Sequence, residues 1–124
     1  MNTPANLKYA NSGEWFDPST GAVGISDYAQ GQLSDIVFVE ILVEEGEEVT
    51  VGKAIASVES VKASSEIYSP LAGKVTAVNK DLSNAPETIN TDPYGAAWMI
   101  KVDGSAGDLM DSAAYGTYCE GRSH

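Results

Sequence analysis

The side chains that most often do covalent chemistry are almost absent from this chain of 124 residues, which has one cysteine, Cys119, and one histidine, His124. His124 is the last residue, where chains usually fray, so a Ser/His/Asp or Cys/His nucleophile set would need a frayed end to supply its base. A structural or catalytic zinc site needs about four ligands, mostly Cys and His, and these are missing. Cys119 alone can form no internal disulfide. What remains is amines and carboxylates. Of the six lysines, Lys62 stands apart by its position: it lies ten residues after Gly52 and eleven before Gly73, two turn-forming glycines. Two strands of similar length on either side would place it at the tip of a hairpin, exposed and held by the sheet beneath. One long side chain on a rigid tip is what a carrier domain requires. The plainer alternative is a solvated lysine like the other five. Against it stand the small neighbours Ser60, Ala63 and Ser64, which leave room for an enzyme to grip the amine. Glu59 and Glu66 add charge by which such an enzyme could recognise it.

The elements that must position this lysine read mostly as short strands. Glu14-Trp15-Phe16 and Ala22-Val23-Gly24-Ile25 flank a turn-forming Asp17-Pro18-Ser19-Thr20-Gly21, a hairpin signature. Ser26 is a candidate N-cap for a short helix through Leu33, despite Gly31 within it. Ile36 to Leu42 suits a central strand. Gly46 and Gly52 bracket a very short strand, and Gly46, Gly52 and Gly73 are expected to supply positive φ in turns rather than to bind phosphate. Lys74 to Val78 alternates as a strand, Lys80 to Pro93 reads as a loop, and Ala97 to Val102 reads as a last strand broken by Gly104-Ser105-Ala106-Gly107. A C-terminal helix follows, with Leu109, Met110, Ala113 and Tyr118 as candidate contacts and Cys119 as a packed thiol. Trp15 and Trp98 read as core aromatics.

Composition bounds the function. At 124 residues one domain is expected, and a hydrophobic fraction of 43% is that of a folded chain. Eighteen acids against seven bases give a formal charge of −11, which argues against nucleic acid or an anionic membrane as partner and favours basic docking surfaces. The longest apolar run, Ile36-Val37-Phe38-Val39, falls far short of a membrane span, and Met1 to Asn6 has neither the apolar core of a signal peptide nor an Arg-rich transit character. The expectation is a soluble protein of the bacterial cytoplasm, or of the mitochondrial matrix in mature form. The Glu44-Glu45-Gly46-Glu47-Glu48 cluster reads as a solvated turn; its carboxylates lack the spacing of a calcium loop.

The segments Val58-Glu59-Ser60-Val61-Lys62-Ala63-Ser64-Ser65 and Ser69-Pro70-Leu71-Ala72-Gly73-Lys74-Val75 resemble the glycine cleavage H-protein family. So do Glu14-Trp15, Val23 to Gln30, Ile89-Asn90, Asp92-Pro93-Tyr94-Gly95, Trp98 to Lys101 and Tyr118-Cys119-Glu120, in order along the chain. The resemblance implies a mainly β fold, a lipoyl-type barrel-sandwich hybrid of two small antiparallel sheets. A short helix in the N-terminal half and a C-terminal helix would complete it. One domain would span residues 1–124, with its core over about 14–103 and the last helix over about 106–120. It implies lipoic acid in amide linkage on Lys62, with Glu59, Ser60 and Ala63 recognised by lipoyl-attaching enzymes. The arm would take an aminomethyl group from glycine on the P protein and give its carbon to tetrahydrofolate on the T protein. The L protein would then reoxidise it, and the chain itself would be a monomeric, non-catalytic carrier. A cleft formed by Ser12, Glu14 and Glu66 would shelter the loaded arm from water, unless Glu14 and Glu66 are merely solvated acids. Gly13 stands where the family usually has His, and Gly95-Ala96-Ala97-Trp98 replaces its Gly-Glu-Gly-Trp. An H-like carrier for lipoyl relay or sulfur metabolism therefore remains an alternative. A biotin carrier is disfavoured because Val61 and Ala63, not Met, flank the lysine.

Overall fold

In the computed structural model residues 4–10, 13–106 and 109–122 are described. The strands are β1 (Lys8–Tyr9), β2 (Glu14–Phe16), β3 (Ala22–Ile25), β4 (Ile36–Ile41), β5 (Glu48–Val49), β6 (Ala54–Ser60), β7 (Ser64–Tyr68), β8 (Leu71–Val78) and β9 (Ile100–Ala106). Helices α1 (Asp27–Leu33), α2 (Thr88–Thr91) and α3 (Ser112–Arg122), with a 3-10 turn over Lys80–Asn84, complete the chain. The strands form two antiparallel sheets, one in the order β1-β2-β3-β9-β8-β5 and one in the order β4-β6-β7. This is the mainly β architecture that the resemblance implied. Alternation turns Val39, Val58 and Ile67 of the smaller sheet and Val23, Val75 and Val102 of the larger into one shared core.

Helix α1 begins as expected: Ser26 is its N-cap, with Oγ accepting from Ala29 N at 3.2 Å. The turn glycines Gly46 and Gly52 have φ of 92° and 90°. Gly73 differs. It lies inside β8, directly opposite Gly104 of β9, where a Cβ on either residue would sit 2.6 Å from the other's Cα. Gly104 therefore does not break the last strand. It lets β9 run on to Ala106, and α3 starts at Ser112 rather than near 106. The front of the expected strand is lost instead. Asn79 Nδ2 donates to the carbonyls of Ala96 and Trp98 at 2.9 and 2.7 Å, and Ala96 N donates to Asp92 Oδ2, so this run folds into a turn. The expected loop over 80–93 is also partly ordered, because Leu82 and Ile89 are buried and draw the 3-10 turn and α2 onto the core.

A second, aromatic core lies under α3, formed by Leu7, Tyr9, Trp15, Ala22, Tyr115 and Cys119. Of the α3 residues whose burial is described, Tyr115 and Cys119, one turn apart, are buried, whereas Ala113 is exposed. Met110, ahead of the helix, exchanges backbone hydrogen bonds with Tyr9. Tyr9 and Tyr115 stack with ring centroids 4.6 Å apart. Trp15 is buried and donates from Nε1 to Pro93 O at 2.9 Å; Trp98 is half-buried, with Lys101 Nζ 5.2 Å above its ring.

Burial raises the phenols of Tyr9 and Tyr115 well above their ordinary value and pushes Tyr94 up to about 12. The folded state thus favours the neutral phenols more strongly than the unfolded chain does. Their contribution is complete below the unfolded value of about 10 and is lost as pH rises from there past the folded values. The unfolding midpoint should fall steeply from about pH 10 upward, with phenolate absorbance rising together with unfolding. A midpoint that stays level while exposed tyrosines ionise would contradict this account.

Candidate functional site

Strands β6 and β7 pair from Ala54↔Tyr68 to Glu59↔Ser64, so the chain reverses over Val61-Lys62-Ala63. One serine builds the reversal. Ser60 Oγ accepts from Lys62 N at 3.2 Å and Ala63 N at 3.1 Å, and donates to Ala63 O at 3.1 Å. A hydroxyl that satisfies three backbone groups in this way replaces the ladder where the strands part. Val61 N also donates to Asp35 O at 3.1 Å, which ties the tip to the approach to β4. The backbone below Lys62 is thus fixed, while its side chain is exposed and, among the described residues, makes no ion pair. Glu59 is exposed beside the tip, across from Phe38 of β4, and Ala63 is exposed as well.

A cleft of about 180 Å³ opens between α1 and β7. Tyr28, Ala29 and Leu33 form one wall, Ser65 and Glu66 the other, and Gly13 lies at its edge. Glu66, four residues beyond the lysine, lines this cleft and is itself exposed. Glu14, expected in the same cleft, is not among the residues that line it. It is 2% exposed within β2, next to Gly13, so it is not a solvated surface acid. Ser12 lies outside the described residues. Gly13 has φ of 106°, and a Cβ there would come within 3.0 Å of the Ala29 methyl. A side chain at this position would strain the backbone and press on α1, and its absence keeps the edge of the cleft open.

Sequence reading missed Asn90, Tyr94 and Tyr115, which brace α1 from a distance. Tyr94 OH accepts from Asp27 N at 2.9 Å, Tyr115 OH meets Ser26 Oγ at 2.5 Å, and Asn90 Nδ2 donates to Ser34 O at 2.9 Å. Their partners lie 56 to 89 positions away along the chain, so no local pattern marks them. In the acidic turn, Lys53 Nζ donates to Glu47 Oε2 at 2.8 Å and holds that carboxyl below its ordinary value. Among the described residues no three His, Cys, Asp or Glu side chains gather as a metal site would require, and no helix is long and apolar enough to cross a membrane.

Two antiparallel sheets sharing one core, with a braced hairpin that presents a lysine, define a lipoyl-type barrel-sandwich hybrid domain. The model of the family described as Glycine cleavage H-protein matches residues 7–120, and the chain belongs to that family. It is 54% identical over 114 residues to the glycine cleavage system H protein of Deinococcus radiodurans, covering 91% of this chain and 93% of that one. Identity to the H protein of Deinococcus deserti is 51% over 117 residues, with coverage of 93% and 96%. A crystal structure of the H protein from Mycobacterium marinum superimposes with a TM-score of 0.84 at 34% identity, covering 98% of this chain and 99% of that one.

Proposed function

We propose that this chain carries lipoic acid in amide linkage on Lys62. By that arm it would shuttle the aminomethyl group of glycine from the P protein to the T protein, and electrons to the L protein. The observation that carries the reading is the tip itself: an exposed amine on a backbone that Ser60 and Asp35 hold still. Such a tip suits the group, since the amine is open to an attaching enzyme and the backbone beneath cannot fold back over it. When bound, the dithiolane supplies the sulfur that accepts the one-carbon unit and the two electrons that leave on reoxidation. The chain's own residues supply the rest. Glu59, Ser60 and Ala63 frame the lysine for lipoyl-attaching enzymes: one charge, one fixed turn and one small side chain. The cleft beside β7 offers apolar cover from Leu33 and a carboxylate from Glu66, suited to holding an ammonium away from water. Chemistry then resides in cofactor and partners, and the chain acts as a single-domain, monomeric, non-catalytic carrier. The bacterial relatives support a place in the bacterial cytoplasm.

The test is intact mass and peptide mapping of protein made in a lipoylating host, followed by glycine decarboxylation on the P protein with this chain as acceptor. A lipoyl increment on residue 62 and acceptor activity are expected; a bare Lys62 would overturn the reading. Gly13 in place of the usual His favours the second reading, an H-like carrier for lipoyl relay or sulfur metabolism. Lipoylation without acceptor activity would select it.

Two substitutions probe the cleft. Glu66→Gln should shorten the half-life of the aminomethyl-loaded protein by up to about fivefold, the loss of up to about 1 kcal/mol from one solvent-exposed charged hydrogen bond. Glu14→Ala should shorten it too. Half-lives equal to the parent's in both variants would remove both carboxylates, Glu66 in the cleft and Glu14 buried in β2, from the account.

A further inference from the structure

Helix α1 makes one wall of the cleft, and it meets the two cores only through part-buried side chains, Ala29 and Leu33 on one and Tyr28 on the other. It has seven residues, none of them buried, and Gly31 lies near its middle. A helix this short is marginal without outside support. Its N-terminal end is held by the Tyr115 and Tyr94 hydroxyls already described. Toward its C-terminal end Leu33 packs part-buried against the main core, and among the side chains described Asn90 of α2 supplies the hydrogen bonds that tie this end to the rest of the fold. Asn90 Nδ2 donates to Gln30 Oε1 at 2.8 Å and to Ser34 O at 2.9 Å, while Oδ1 accepts from Ile36 N at 2.8 Å. The orientation of this carboxamide is not ambiguous, because a backbone N–H can only donate and a carbonyl can only accept. One side chain thus joins the end of α1 to the first residue of β4. Between them lies Ser34, the one non-glycine residue with positive φ (68°) among the described residues. A strained junction of this kind persists only when its surroundings hold it.

We propose that Asn90 is a positioning residue for the cleft: it holds the end of α1, so that Ala29 and Leu33 stay at the wall opposite Glu66. This rests on the reading that the cleft shelters the group carried on Lys62. Asn90 touches neither the lysine nor the cleft and acts only through α1.

Asn90→Asp keeps the acceptor for Ile36 N and turns the donor that faces Ser34 O into a second acceptor. Asn79→Asp is the matched control. Asn79 Nδ2 likewise donates to two partners, the carbonyls of Ala96 and Trp98, but braces a turn that does not line the cleft. Two readouts apply to each variant, with lipoylation first verified by intact mass. One is amide hydrogen exchange at Gln30 and Ser34, whose N–H groups bond to Ser26 O and Gln30 O, both at 3.0 Å. The other is the half-life of the aminomethyl-loaded protein. In Asn90→Asp exchange at both amides should accelerate about tenfold and the half-life should shorten about fivefold. In Asn79→Asp both should stay within about twofold of the parent. Unchanged exchange in Asn90→Asp, faster exchange with an unchanged half-life, or equal effects in the control would each overturn the proposal. A parent that is never loaded counts against the carrier reading instead, and the exchange rates then decide the role of Asn90.

Discussion

Lys62→Arg is expected to leave the chain folded and to abolish its carrier activity. A guanidinium stays protonated and is no nucleophile toward an activated carboxyl, so no amide can form where the lysine amine stood. The side chain is exposed and without an ion pair among the described residues, so stability should change by no more than about 0.5 kcal/mol. The variant should show the mass of the bare chain and an unshifted thermal midpoint. Glycine decarboxylation with it as acceptor should fall to background. Any residual acceptor activity would move the attachment point to another of the six lysines. The charge is kept, so the electrostatics beside the neighbouring acids are unchanged. The loss can then be assigned to the missing amide.

The second large effect concerns the sheet rather than the arm. Gly104→Ala should destabilise the fold by about 3 kcal/mol, lowering the thermal midpoint by roughly 10 °C. The new methyl would collide with the Ala72 carbonyl and stand 2.6 Å from Gly73 Cα, and neither is the movable end of a side chain. The backbones of β8 and β9 would have to separate within their ladder. Gly31→Ala is the natural comparison. Nothing lies within 4 Å of a Cβ there, and it sits inside α1. That substitution should stabilise by about 0.5–1 kcal/mol through helix propensity. Thermal melts of the two variants should therefore shift in opposite directions; shifts of the same sign would contradict the close-approach account.

The contrast shows what could be read from the residues. Lys62 at a hairpin tip was legible because its strands are short and the polar residues between them are local signals. Ser26 announced α1 in the same way. Gly73 and Gly104 were misread as a turn and a breaker, since glycine marks equally a bend and a close backbone approach, and the choice between them depends on what lies across the sheet. The start of β9 was misplaced for a similar reason: Asn79, far back in the chain, diverts residues 96–98. In the cleft, Glu66 was named only through the family resemblance, since nothing local sets it apart from other exposed acids. The burial of Glu14 was not legible, because a three-residue strand with every residue buried shows no alternation. Asn90 carried no local sign of its three distant hydrogen bonds.

The hydrogen bond between Ser26 and Tyr115 joins residues 89 positions apart. The hairpin that presents Lys62 is built from strands that follow one another in the chain, whereas the first turn of α1 is braced by a residue of the last helix. Losing that helix would therefore remove a brace from the wall of the cleft while leaving the hairpin's own pairing intact.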